Sequence, residues 1–270
     1  MNVVIVGAAG RMGRQVVSDA LRDPDIQIVG AVDAREAPCI GEDVGILSGN
    51  PPAGVKLESS LEDTIDKADA VIEFTNASAT AEHIKTVRQH RKAYVIGTTG
   101  LDAETVHAIN AAASQIPILL SPNMSVGINL IASILPAVVK ALQEGYDAEI
   151  VESHHRYKQD APSGTALMLA EIIEKALGKP EPCRRVYGRK GIAPRVPGEL
   201  GIHSIRAGGN FGEHHLIFAN EAEEIILAHR AFSRQTFSLG ALRAVKFLVN
   251  QPPGLYDMQD VLSPSRRGKR

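Results

Sequence analysis

Val3-Val4-Ile5-Val6-Gly7-Ala8-Ala9-Gly10-Arg11-Met12-Gly13 is the stretch on which the fold turns. Four consecutive β-branched residues read as a buried strand, and Arg11 to Leu21 carries helical spacing. Between them the glycines fall as G-x-x-G-x-x-G, a variant of the commoner G-x-G-x-x-G. Strand, glycine turn and helix in direct succession let a backbone approach a pyrophosphate, whose charge is met by unpaired N–H groups at the helix N-terminus. Gly7, Ala8, Ala9, Gly10, Arg11 and Met12 are therefore candidate dinucleotide contacts. Asp33 supports this reading. It closes the next strand, Ile26–Val32, where a carboxylate can accept hydrogen bonds from the adenosine ribose hydroxyls. Asp33 repels a 2′-phosphate whereas Arg11 and Arg35 can neutralise one, so NADH is the expected cofactor and NADPH stays open beside it.

Working outward, Ala70–Phe74, Ala93–Ile96 and Ile118–Leu120 read as further strands, with helices over Ala77–His90 and Asp102–Ser114 between them. This alternation predicts an α/β fold with an N-terminal Rossmann-type parallel sheet over residues 1–125. Gly97-Thr98-Thr99-Gly100 and Ser121-Pro122-Asn123-Met124 follow two of the strands at the carboxyl edge, where such sheets place ligands. The sequence leaves open whether these are ordinary turns or line the cofactor. After Asn123 a long helical segment begins and the pattern changes. Strands at Ala148–Ser153, Gly201–Arg206, His214–Ala219 and Glu223–His229, the last two a hairpin around Asn220-Glu221, predict a C-terminal mixed α/β domain over 126–234. Gly178 to Pro197, rich in proline, glycine and arginine, reads as an exposed loop, and the helix Gln235–Val249 is expected to return with 250–270 to the first domain.

Composition excludes several classes of function. Of the 270 residues 44% are apolar and 22% charged, with a net charge of −2, so nothing draws nucleic acid or an anionic membrane. The one basic cluster, Arg266, Arg267, Lys269 and Arg270, reads as a solvated tail. The longest apolar run, Val126 to Leu142, is broken by Gly127, Asn129, Ser133, Pro136 and Lys140 and is not expected to span a membrane. Cys39 and Cys183 lie in no metal-ligand or redox spacing, and no leader pattern opens the chain; a cytoplasmic protein is expected.

The segment richest in chemistry is Glu152-Ser153-His154-His155-Arg156-Tyr157-Lys158-Gln159-Asp160-Ala161-Pro162-Ser163-Gly164-Thr165-Ala166. It leaves a strand, crosses a polar loop and enters a helix at Ser163-Gly164-Thr165, an entry that offers N–H groups and a hydroxyl to a carboxylate. Imidazoles and an ammonium just upstream supply proton donors. Adjacent His154 and His155 on a strand point to opposite faces, which argues against a metal site, and the same holds for His214-His215. A histidine-rich surface loop remains an equal reading of these residues alone.

That segment, in the form E-x-H-H-R-x-K-x-D-A-P-S-G-T-A, resembles the signature of the 4-hydroxy-tetrahydrodipicolinate reductase family, long called dihydrodipicolinate reductase. The Gly7–Gly13 turn, Gly97-Thr98-Thr99-Gly100, Asn123 with Ser125-Val126-Gly127, Arg206-Ala207-Gly208 and Gly212-Glu213-His214 follow in family order over nearly the whole chain. The resemblance implies a substrate domain whose sheet assembles a homotetramer. It implies His154 and Lys158 as the acid/base pair and His155, Gly164 and Thr165 as substrate-carboxylate contacts. The cofactor contacts it implies are Gly7 to Met12, Asp33, Gly97, Thr98, Thr99, Ser121, Pro122, Asn123 and Met124. Members that use NADPH well often carry an Arg directly after the acidic residue; here Ala34 stands there and Arg35 follows. Ser121-Pro122 and Met124 likewise replace the small and aromatic residues often found around that Asn.

The implied reaction, in diaminopimelate and lysine biosynthesis, is hydride addition to a cyclic imine dicarboxylate, after which a proton must be delivered. The residues leave open whether Lys158 or His154 delivers it, and whether the enzyme assists loss of the substrate hydroxyl. An aspartate or homoserine dehydrogenase would share the glycine turn but has no reason to carry His154 to Thr165. A nucleotide-sensing regulator would need a basic recognition helix, which the near-neutral chain lacks.

Overall fold

The computed structural model describes residues 1–142, 145–178 and 183–263, so the basic tail from Arg266 to Arg270 lies outside the described residues. They form two compact units, residues 1–126 with 234–263, and Gly127–Ser233.

The first unit opens with β1 (Asn2–Val6), α1 (Arg11–Ala20), β2 (Gln27–Val32), α2 (Val44–Leu47), β3 (Leu57–Glu58), β4 (Ala70–Glu73) and α3 (Ala77–Gln89). β5 (Ala93–Ile96), α4 (Ala103–Ala113) and β6 (Pro117–Leu120) complete its N-terminal run, and α5 (Val126–Ala141) leads out of it. The second unit continues with β7 (Asp147–His154), α6 (Gly164–Leu177), β8 (Arg184–Val186), β9 (Glu199–Arg206), β10 (Glu213–Ala219) and β11 (Glu224–Arg230). α7 (Gln235–Leu248), β12 (Gly254–Tyr256) and α8 (Met258–Leu262) then rejoin the first.

The first sheet is parallel throughout, in the order β12-β6-β5-β4-β1-β2-β3. The strand order reverses at β1, between β2 and β4, which places the ligand crevice over the carboxyl ends of β1 and β4. Both faces are covered: Val3 and Ile5 pack with α1 and α7 residues, whereas Val4 and Val6 pack with Ile84 and Ile109 of α3 and α4. That two-sided burial is why these strands are unbroken apolar runs. Asn76 caps α3 through the Ala79 amide and Asp102 caps α4 through Thr105, 3.0 and 2.7 Å away.

The second sheet is mixed, in the order β11-β10-β7-β9-β8. Its strands alternate. Ile150, Ile202, Leu216 and Phe218 pack beneath α5 and α6, and the partners Val151, His203, Ile205, His215, Ile217 and Ile226 lie on the opposite face. The expected exposed loop from Gly178 to Pro197 needs correction: residues 179–182 lie outside the described residues, but Arg184–Val186 forms β8, paired parallel to β9. A three-residue edge strand needs only alternate backbone pairing, so a proline- and glycine-rich composition conceals it. β3, α2, β12 and α8 are too short for any periodicity to declare them.

Candidate active site

In the second unit, the period of two along β7 sets Glu152 and His154 on one face. Both are buried, and the His154 Nδ1–H donates to Glu152 Oε2 at 2.6 Å. Arg206, which pairs with His154 across β9, binds both Glu152 oxygens through its two terminal nitrogens at 2.7 and 2.8 Å. The Ser163 amide donates a further bond to Glu152 Oε1 at 3.1 Å. Burial alone would raise the Glu152 carboxyl; the bonds from His154 and Arg206 outweigh it and hold it far below the usual carboxylate range.

The carboxylate thus braces a cation, an imidazole and a helix N-terminus together. Gly212, at φ +143°, leaves the His154 ring its place: a Cβ there would stand 3.0 Å from His154 Nε2.

The remaining predicted residues distribute around this brace. Lys158 Nζ is held by both oxygens of Asp160 at 2.7 and 2.8 Å, and Arg206 donates to the Asp160 carbonyl at 2.7 Å, which ties the Lys158 turn to the network. The His155 amide donates to the Asn210 carbonyl, and its ring lies against Tyr157. Ser163 caps α6 by accepting from the Ala166 amide, leaving Gly164 exposed with open space in front of it. Burial and the neighbouring His154 push the His214 imidazole down to about 3. Its Nε2 lies 3.1 Å from Ser163 Oγ and its ring meets His154 edge-on at 5.2 Å.

In the first unit, Gly7 takes φ +80°, and Gly10 precedes α1 without a side-chain cap, so the helix N-terminus keeps its donors. Asp33 accepts from the Ala9 amide at 2.7 Å and from Ala34 at 2.8 Å, bracing the glycine turn while each oxygen retains a lone pair for a hydroxyl. A cavity of about 300 Å³ adjoins it, lined by Asp33, Ala34, Arg35, Thr75, Asn76 and His83. Thr98 is buried and accepts from the Thr75 amide at 3.1 Å, while Thr99 is exposed beside it. Gly97 is required by the Phe74 ring, which a Cβ would overlap. Ser121 and Asn123 bond within their own turn, Pro122 is exposed, and the Met124 side chain belongs to the core. A turn of glycines and alanines ahead of α1, uncapped helix donors and a carboxylate beside a cavity are features that fit a dinucleotide.

Gly13 sits where a Cβ would overlap the Gly7 carbonyl oxygen. Gly13→Ala is therefore expected to push α1 off the turn, lowering stability by about 1–3 kcal/mol and NADH affinity by roughly tenfold or more. Urea unfolding and a fluorescence titration with NADH measure both, and an unaltered affinity would detach the turn from cofactor binding.

The comparisons with known proteins agree over nearly the whole chain. The model of the dihydrodipicolinate reductase N-terminus matches residues 1–124, and that of its C-terminus matches residues 127–262. The chain belongs to the dihydrodipicolinate reductase family. It is 46% identical over 265 residues to the 4-hydroxy-tetrahydrodipicolinate reductase of Rubrobacter xylanophilus, covering 98% of this chain and 99% of that one. With the enzyme of Burkholderia ambifaria it shares 43% over 263 residues, 97% and 99% of the two chains. Among solved structures, dipicolinate-bound dihydrodipicolinate reductase from Paenisporosarcina sp. TG-14 superposes with a TM-score of 0.76 at 26% identity, over 95% of this chain and 97% of that one.

Within this candidate site, sequence reasoning gave no role to Glu152, Arg206 or His214. Glu152 stands two residues from His154, and a buried carboxylate at that spacing on a strand was a usable signal. Arg206 lies 54 residues from Glu152 and Ser163 51 residues from His214, so only strand pairing brings these residues together.

Proposed function

We propose that this protein carries out the reaction of its family, the NAD(P)H-dependent reduction of 4-hydroxy-tetrahydrodipicolinate to tetrahydrodipicolinate, with His154 and Lys158 as its catalytic residues. The observation that carries this assignment of roles is the buried Glu152, which holds His154, Arg206 and the α6 entry in one constellation. The nicotinamide, when bound, supplies the hydride. Gly7 to Met12 with Asp33 hold the dinucleotide, and Gly97, Thr98, Thr99 and the Ser121–Met124 turn stand at the same carboxyl edge.

A substrate carboxylate is received at Gly164 and Thr165, where the helix donors favour an anion, with His155 from the preceding loop. As electron density builds on a ring that already carries two carboxylates, the Lys158 ammonium stabilises it and delivers a proton. His154, with Nδ1 committed to Glu152, has Nε2 for proton exchange.

The same reading takes NADH as a cofactor at least as effective as NADPH, since Asp33 is followed by Ala34. It takes the protein to be cytoplasmic, in keeping with Cys39 and Cys183 not joined in a disulfide. No helix among the described residues is long and apolar enough to cross a membrane. A homotetramer is supported by the open face of the second sheet, where Ile205 and Ile226 are 48% and 47% exposed.

Supplying the condensation product of pyruvate and aspartate semialdehyde and following cofactor absorbance tests the reaction and the preference together. Oxidation of NADH dependent on that product is expected. A kcat/KM with NADPH more than about tenfold higher, or about 1.4 kcal/mol of transition-state stabilisation, would overturn the preference. Absence of product-dependent oxidation with either cofactor would overturn the reaction.

A further inference from the structure

His214 takes no part in the mechanism above, yet it is 3% exposed and faces the Ser163 hydroxyl at the α6 entry. Ser163 Oγ has two neighbours, the Ala166 amide at 3.2 Å, which can only donate, and His214 Nε2 at 3.1 Å, whose role depends on the tautomer. His214 Nδ1 is sealed from solvent with no hydrogen-bond partner. A neutral imidazole carries one N–H, so two arrangements exist. If the Ser163 hydroxyl donates to Nε2, the histidine proton sits on Nδ1, an orphaned buried donor. If Nε2–H donates to Ser163 Oγ, Nδ1 is a bare lone pair, and the hydrogen left over is the serine's, beside Gly164 and Thr165. An orphaned buried donor is the costlier outcome, whereas the hydroxyl hydrogen gains an acceptor as soon as an anion arrives.

We propose that His214 is a positioning residue for the substrate: protonated on Nε2, it fills the acceptor side of Ser163 Oγ and turns the hydroxyl into a donor for the carboxylate at the α6 entry. This rests on the substrate site described under the proposed function. The depressed basicity of His214, caused first by burial and then by His154, keeps the ring neutral and the arrangement intact through the working pH range. His214 contributes no charge to the site; its effect passes through Ser163.

The test uses the whole protein with pyridine-2,6-dicarboxylate as probe, binding measured by calorimetry in the presence of NADH. His214→Phe and Ser163→Ala are each expected to weaken binding of the dicarboxylate by about tenfold or more, the usual loss for a hydrogen bond to a charged group. The double variant should be no weaker than the worse single one, because both remove the same donor. His214→Gln, whose amide N–H can stand in for Nε2–H, should recover most of the affinity, and NADH affinity should not move in any of them. Nitrogen-15 spectra of histidine-labelled protein should show a protonated Nε2 and an unprotonated Nδ1.

Additive losses in the double variant, an Nδ1–H tautomer, or normal affinity in His214→Phe would each overturn the proposal. Thermal unfolding of each variant keeps a folding defect from passing as a binding defect, and the glutamine variant then decides: folded protein without recovery counts against the positioning role. Failure of the unaltered protein to bind the dicarboxylate, with NADH bound normally, would instead overturn the substrate site itself and this proposal with it.

Discussion

Lys158→Ala is expected to lower kcat by on the order of a hundredfold or more while leaving directly measured NADH affinity nearly unchanged. Hydride addition pushes electrons onto a ring that already bears two negative charges, so a cation beside it gains more in the transition state than in the ground state. The ammonium is held by the two oxygens of Asp160, which is itself kept below the usual carboxylate range, burial opposing and Lys158 prevailing. Asp160 is largely exposed, so losing the pair costs only about 0–1 kcal/mol of stability. Activity should therefore fall without a matching fall in the unfolding midpoint. A variant with near-normal kcat would leave the proton transfer to His154 alone. Loss of NADH binding would show that Lys158 supports the fold instead, because the glycine turn belongs to the other compact unit.

Glu152→Ala is expected to be the most destabilising single change at the site, by about 3–5 kcal/mol, since it leaves the Arg206 guanidinium without its buried bidentate partner. It also strips the His154 Nδ1–H and the Ser163 amide of their acceptor. Urea unfolding measures the loss, and a change below about 1 kcal/mol would mean that water replaces the carboxylate without strain. The same residue fixes a direction for acid sensitivity. Its folded carboxyl lies below the ordinary value of 4.5, so its contribution is present in full above pH 4.5 and drains away as the pH falls below it. Glu152→Gln should flatten that part of the acid-unfolding curve.

How much of this was legible in the chain depends on the distance over which each feature is decided. The glycine turn, Asp33 and the five principal strands of the first sheet are local, and Gly7 to Gly13 stands between β1 and α1 as the spacing requires. Asp102 and Asn76, the caps of α4 and α3, are local signals of the same kind, a short polar side chain immediately before a helical run. The α6 entry was readable because a serine and a glycine open it. The brace was legible only at Glu152, two residues from His154 on one strand; its other members come together when β9 and β10 lie beside β7, and nothing in the spacing of Arg206 or His214 announces that pairing. Met124 shows what a motif leaves unsaid: its position beside Asn123 suggested a ligand contact, and nothing in that position announces that its side chain packs into the core near Gly240.

The return of α7 and β12 to the first unit bears on how the protein is made. During synthesis, β1 to β6 leave the ribosome while the helix that covers β4 and β5, and the strand that extends the sheet beyond β6, are still untranslated. Residues 127–233 must emerge before the sheet can close, so the nascent dinucleotide-binding half waits with an apolar face and an unpaired β6 edge. The second unit has no such debt: among the described residues its five strands and two helices are consecutive, so it is expected to condense once β11 is clear of the exit tunnel. Although it comes first in the sequence, the first unit is expected to be the later of the two to finish folding, and a chain stalled on the ribosome within α7 is expected to bind chaperones through its uncovered face.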